Sequence, residues 1–522
     1  MQDKKEPSIR WFWLITALSA GLAFVLLLSG YPGLIYDSYG YYRLAQNLIA
    51  DGLIGAANES RTYGYPLFVA ICSGFRQSAP EVVRPLVFVA QLVLFLAACA
   101  AAARSFCRVF ARRSFATVFY ASAALNPVLL ARVTEVLSDI LSAILVLLAI
   151  VLTLDPGRAR RPVAAAAGSL ACGALAAVVR PANVAIFAAI VILWIVRGVL
   201  TKSFPAIALP VLLAAALLPF VPQIMINSRA FGKPEPLIVA RLYRDQTLWG
   251  TANLKYATSV ISDQPPEIVY SNPLYRGDPS AGQFLRRNPV GYLATLGVHL
   301  FAMFDHDFLF SYVTDLHPWY RWPLSAMNLA FLVLAGWGIV LALRPPSSRE
   351  ARFATAAILF TSLLYVGIHL PIAVESRFSI PIDLFLTPFF TIALLRVGDL
   401  WRSGSRLAVV RITLATLVCV GLGLVLSGWI AAQAPRLAGP RGLLRVQAPS
   451  GPVPATFSEL SQQRLRKSPE RAGRHQQEDV AGARFAPEDP RDLLESLRRV
   501  GGLSVRGETG QHRRAVDALL RL

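Results

Sequence analysis

Long apolar runs punctuated by arginine recur through the first 430 residues of the chain. A helix needs about 20 apolar residues to cross a hydrocarbon core. Eleven runs read that way, at about 11–30, 85–103, 115–131, 136–154, 163–179, 184–196, 204–226, 323–343, 354–370, 380–395 and 412–430. Inside lipid the backbone must satisfy its own hydrogen bonds, so such runs fold as helices. An all-α polytopic membrane protein with a bundle of about 11 transmembrane helices is therefore expected. Composition agrees, because only 16% of residues are charged, against about 25% in soluble domains. The first run is long for a signal-peptide core and lacks a clear small-residue cleavage site, so it reads as a retained anchor.

The net charge of +20 suggests nucleic acid at first sight. The basic residues punctuate apolar runs instead of forming a stripe, so no nucleic acid partner is expected. Their distribution sets orientation. Alternate segments carry 3, 4, 3, 2, 3 and 4 Lys/Arg, while the short turns between them carry one each, at Arg132, Arg180 and Arg377. Positive residues stay inside. This places the N-terminus in the cytoplasm of a multi-pass protein of the inner (plasma) membrane, with the loops after odd-numbered spans outside.

Residues 1–433 read as the transmembrane domain. Its first outer loop, 31–84, contains an amphipathic stretch over 40–50. There Tyr41, Leu44, Ala45, Leu48 and Ile49 share one helical face, and Arg43, Gln46 and Asn47 the other. Such a helix lies in the interface. A second long outer loop, 227–322, is polar up to an apolar but short run at 290–304, which reads as re-entrant or interfacial. Residues 434–522 form an Arg/Pro/Gly-rich tail, expected outside and partly disordered, with short amphipathic helices near 493–500 and 516–522. The five cysteines have no paired spacing, so neither a disulfide framework nor a zinc site is indicated.

This topology gathers ionisable residues on one side: Asp37, Arg61, Arg132, Glu135, Asp139, Arg180, Arg229, Glu375 and Arg377. Charged groups at membrane boundaries are costly and usually functional. Arginine grips phosphate with a planar fork of donors, and a carboxylate can take a hydroxyl proton as a bond forms. Plain structural readings stand beside these. Asp37 suits a helix N-cap, Arg132 and Glu135 can pair across one turn, and Arg61, Arg180 and Arg377 can anchor at headgroups. Asp305-His306-Asp307, with Asp315 and His317, fits no metal spacing and reads as a wet interfacial segment.

Several stretches together resemble a family. Tyr36-Asp37-Ser38 and Arg61-Thr62-Tyr63-Gly64-Tyr65-Pro66-Leu67-Phe68 look like the first outer loop of GT-C membrane glycosyltransferases, in the protein mannosyltransferase and aminoarabinose transferase group (glycosyltransferase 39-like). Thr134-Glu135-Val136-Leu137-Ser138-Asp139, Gly173 to Ala177 with Arg180-Pro181, Asn227-Ser228-Arg229-Ala230-Phe231-Gly232 and Glu375-Ser376-Arg377-Phe378 follow in order. The resemblance covers about residues 11–400. It implies transfer of a hexose or pentose from a polyprenyl-phosphate donor to a glycan, lipid or protein acceptor on the outer face of the membrane. Asp37 matches the family's catalytic carboxylate. Arg61 falls where a basic group meets the donor phosphate, with Arg229 and Arg377 as further phosphate contacts. Glu135, Asp139 and Glu375 would orient acceptor or donor. Many members carry a second acid directly after the first, and here that position is Ser38. A metal bridged by an acidic pair is therefore not supported, and no cofactor is expected. A lipid-linked glycan transporter or flippase, or a non-catalytic assembly protein, would share the spans. Transporters usually show repeated halves and polar breaks at mid-membrane, and neither is visible in this sequence.

Overall fold

A computed structural model of the chain describes residues 9–28, 34–112, 114–155, 162–201, 206–240, 242–261, 267–278, 280–345 and 347–433. The expected tail lies outside the described residues. Among the described residues each expected apolar run is mainly helical. The chain opens with α1 (Ile9–Leu28), then two short helices, α2 (Tyr36–Asp51) and α3 (Gly64–Cys72). Next come α4 (Pro80–Phe110), α5 (Phe115–Ala124), α6 (Pro127–Val133), α7 (Ser138–Leu154), α8 (Pro162–Val179) and α9 (Val184–Thr201). The pair α10 (Leu209–Leu217) and α11 (Val221–Phe231) leads into a long loop with α12 (Leu242–Ala252), β1 (Asn253–Ser259), β2 (Glu267–Ser271), α13 (Ala281–Arg287), α14 (Pro289–Phe304) and β3 (Tyr312–Val313). Four long helices close the bundle: α15 (Arg321–Leu343), α16 (Arg349–His369), α17 (Ile380–Arg402) and α18 (Arg406–Ala432).

Among the described residues, nine helices are long and apolar enough to cross a membrane, or ten if α5 and α6 count as one bent span. Two runs depart from the simple reading. The third is broken by 57° between α5 and α6. Asn126 starts the second piece by accepting the Val128 and Leu129 N–H groups, with Pro127 at its first position, where the missing N–H costs nothing. The fourth run enters its helix only at Ser138, so α7 has 17 residues and is about 25 Å long. It is buried on nearly all sides, which marks the centre of a bundle. By contrast α18 leaves Leu407, Val410, Leu414, Leu417, Leu422 and Val425 exposed, a face suited to lipid. One close helix crossing joins α15 to α17. A Cβ on Gly338 would lie 1.9 Å from the Phe389 carbonyl oxygen, so only glycine admits this approach.

The long loop also holds strands that the sequence did not announce. They form a three-stranded sheet of order β2-β1-β3, with β1 antiparallel to β2 and parallel to β3. Asp305, His306 and Asp307 beneath it are buried, at 2%, 0% and 1% exposure, which corrects the expected wet segment at these three residues, while Asp315 and His317 are exposed. Lys255 on β1 explains the two aspartates. Its ammonium donates to Asp307 at 2.8 Å and to the Asp305 carbonyl at 2.8 Å, and lies 3.3 Å from the Asp305 carboxylate. Arg321 reaches the other oxygen of Asp307 at 3.1 Å. Burial works to lower the Lys255 pKa, but the two carboxylates outweigh it and hold the value above the ordinary one. The ammonium is therefore retained. His306 turns to Ser379 at 2.9 Å and Asp383 at 3.2 Å. At the opposite end of the bundle, ion pairs Arg108–Asp155 and Arg112–Asp399 tie the end of α4 to the ends of α7 and α17.

Candidate active site

The site is built on the first turn of α2. Ser38 closes that turn: its hydroxyl donates to the Ile35 carbonyl at 2.6 Å and accepts the Ile35 N–H at 2.8 Å. Ser38 is fully buried, so its hydroxyl is occupied in starting the helix. Tyr36 takes a left-handed backbone, φ +46°, an unusual and costly conformation for a bulky residue. Asp37 lies within the first turn and not at the cap, where the positive end of the helix favours a carboxylate.

Two guanidinium groups meet Asp37. Arg61 donates to one carboxylate oxygen at 2.5 Å, and Arg377 lies 3.5 Å from the other. The side chains of Asp37, Arg61 and Arg377 are 40%, 25% and 12% exposed. The carboxylate is thus the most open member of the group. Burial works to raise the Asp37 pKa, but Arg377 and Arg61 outweigh it and hold the group below the ordinary carboxylate value. Arg377 is fixed from behind, where its Nε donates to Glu375 at 2.7 Å and Tyr256 on β1 lies beside both. Burial pushes the Glu375 pKa up despite the neighbouring Arg377. Tyr312 on β3 accepts the Ser38 N–H at 3.3 Å and lies 5.9 Å, ring to ring, from Tyr36.

Behind this cluster is a buried layer. Glu135, with 0% exposure, accepts from the Ser311 N–H at 2.6 Å and the Ser311 hydroxyl at 2.8 Å. Arg132 pairs with Glu135 at 3.2 Å and donates to Ser311 at 2.6 Å. Both oxygens of Glu135 are therefore occupied within the protein. Asp139 pairs with Arg180, whose guanidinium lies 5.1 Å from the centre of the Phe378 ring. Arg229 stands exposed in the last turn of α11 and enters no ion pair among the described residues. The fold thus brings Asp37, Arg61, Glu375 and Arg377 into one cluster and encloses Glu135 and Asp139 beside it, but leaves Arg229 outside those contacts. Sequence reasoning missed Tyr256, Ser311 and Tyr312, because the loop sheet that delivers them is a long-range pairing. Among the described residues no group of three or more His, Cys, Asp or Glu could hold a metal ion.

The Arg132–Glu135 pair carries a stability prediction. Removing one partner of a buried ion pair strands the other charge, whereas replacing both with apolar residues is far cheaper. Glu135→Leu alone should cost more than Glu135→Leu combined with Arg132→Met. Thermal unfolding in detergent reads the difference, and equal losses would deny the coupling.

No family model and no curated protein matches the sequence. Among solved structures, the chain is similar to the Archaeoglobus fulgidus oligosaccharyltransferase tethered with an acceptor peptide. The identity is 14% and the TM-score 0.43, covering 82% of this chain and 55% of that one. The apo form of that protein gives 14% identity and a TM-score of 0.39, over 82% and 57%. ArnT from Cupriavidus metallidurans bound to undecaprenyl phosphate gives 12% identity and a TM-score of 0.36, over 76% of this chain and 79% of that one. The chain spans a little over half the length of the oligosaccharyltransferase structures it matches. Both neighbours are glycosyltransferases of the GT-C type, and the likeness is one of fold.

Proposed function

We propose that this protein transfers a sugar from a polyprenyl-phosphate donor to an acceptor hydroxyl, with inversion, at the outer face of the cytoplasmic membrane. The observation that carries the reading is the half-exposed Asp37 carboxylate set between the Arg61 and Arg377 guanidinium groups. A base and two phosphate ligands in contact are the groups a single displacement needs. Asp37 takes the acceptor proton as the acceptor oxygen bonds to the anomeric carbon. The bond from that carbon to the phosphate oxygen breaks, and the phosphate leaves with the electron pair. Arg61 and Arg377 stabilise the charge that develops there. The sparse positive charge of the turns bearing Arg132, Arg180 and Arg377 supports placing this face outside.

The test is incubation of the purified protein in detergent with a pool of polyprenyl-phosphate-linked sugars and candidate acceptors. Glycosylated product with release of polyprenyl phosphate is the expected result. Movement of the intact lipid-linked sugar between the leaflets of a vesicle, with no product, would overturn the reading in favour of a flippase.

A milder variant tests the seating of Arg61. Gly40 has an ordinary helical backbone, yet glycine in a helix costs about 1 kcal/mol relative to alanine. The space explains it, because a Cβ there would meet the Arg61 guanidinium carbon at 3.3 Å. Gly40→Ala should therefore leave the thermal midpoint unchanged or higher while lowering transfer roughly tenfold by displacing Arg61. A faster enzyme, or a lower midpoint, would contradict this account.

A further inference from the structure

The two arginines at Asp37 are not equivalent. Arg377 is anchored independently of Asp37, through Glu375 at 2.7 Å, and its contact with Asp37 is the longer one, 3.5 Å. Arg61 comes from the connection between a 3-10 turn (Gly52–Ala56) and α3. Among the described residues Asp37 is the only carboxylate it pairs with, at 2.5 Å. Its other neighbours are the Tyr41 ring, 5.3 Å away, and the bare backbone at Gly40. An aromatic face and a glycine hold a guanidinium by its flat side without fixing its direction. The more exposed arginine is therefore also the less committed one.

This asymmetry bears on how a base can work beside two cations. With the Arg61 guanidinium hydrogen-bonded to one oxygen and Arg377 3.5 Å from the other, the Asp37 carboxylate is a weakened proton acceptor. A phosphate monoester or diester brings a competing anion with oxygens that suit the arginine fork. We propose that Arg61 is handed from Asp37 to the donor phosphate on binding, while Arg377 stays on Glu375. The transfer frees one carboxylate oxygen for the acceptor hydroxyl. The base is thus unmasked by the donor, and donor binding precedes acceptor activation. This inference rests on the proposed reaction and adds an order of events to it.

Binding alone tests the hand-over, with undecaprenyl phosphate as the probe and the full-length protein in detergent. Asp37→Asn removes the anion that competes for Arg61, so it should bind the probe about tenfold more tightly than the natural protein, within the range of couplings between touching residues. Simple repulsion between Asp37 and the phosphate would give a gain too, so the background matters. With Arg61→Gln the gain from Asp37→Asn should largely vanish; with Arg377→Gln it should persist. An equal gain in all three backgrounds, or a gain that depends on Arg377 instead, would overturn the hand-over and leave the sugar-transfer reading standing. Failure of the natural protein and every variant to bind the probe would overturn both.

Discussion

Asp37→Asn should reduce sugar transfer by roughly 10²–10⁴-fold, the usual worth of a positioned general base. The substitution preserves the shape of the side chain and removes its capacity to accept a proton. The fold should survive, because the Asp37 side chain is 40% exposed and Arg377 keeps Glu375 as its counter-charge. A matched elution profile and thermal midpoint, together with a rate assay that resolves four decades, make the comparison. Undiminished transfer would remove Asp37 from the chemistry. The sign of the pH dependence follows from the two arginines. They hold the Asp37 pKa below its ordinary value, so in the free protein the base is ionised above that lowered value. Protonation, and with it loss of kcat/KM, is expected only as pH falls below the ordinary carboxylate range.

Lys255→Met should have the largest effect on stability. It leaves Asp307 buried with Arg321 as its remaining cation, and Asp305 buried with no ion-pair partner among the described residues. Breaking a buried pair by removing one partner costs about 3–5 kcal/mol. Asp305 is further tied to Ser325 at 3.0 Å and Ser427 at 2.8 Å, so the cluster joins the loop sheet to α15 and α18. Losing it should lower the thermal midpoint sharply and loosen Tyr256, the next residue along β1. Adding Asp305→Asn to Lys255→Met should recover part of the loss. A midpoint within experimental error of the natural protein would mean that these charges are not paired as described.

The spans were legible because length and apolarity are local properties of the sequence, and lipid leaves the backbone few alternatives. Alternating arginine counts gathered Asp37, Arg61, Glu375 and Arg377 on one side before any coordinates. The break between α5 and α6 was also written in the sequence. Asn126-Pro127 is a helix-start signal, and it was read through because the surrounding run is uniformly apolar. The loop sheet was not legible, since its strands are short and lie within a polar loop. With it went Lys255 and Tyr256, whose partners sit tens of residues away. Enclosure was equally invisible: nothing in Thr134 to Asp139 distinguishes a carboxylate facing substrate from one sealed against Ser311.

Asp37 lies near the start of the chain and its partner Arg377 near the end of the bundle, separated by most of the membrane spans. During synthesis the early helices can enter the bilayer and fold locally, but the Asp37 cluster cannot close until the segment after α16 that carries Arg377 has been made. A half-made chain would therefore be inserted with Asp37 still lacking its second guanidinium.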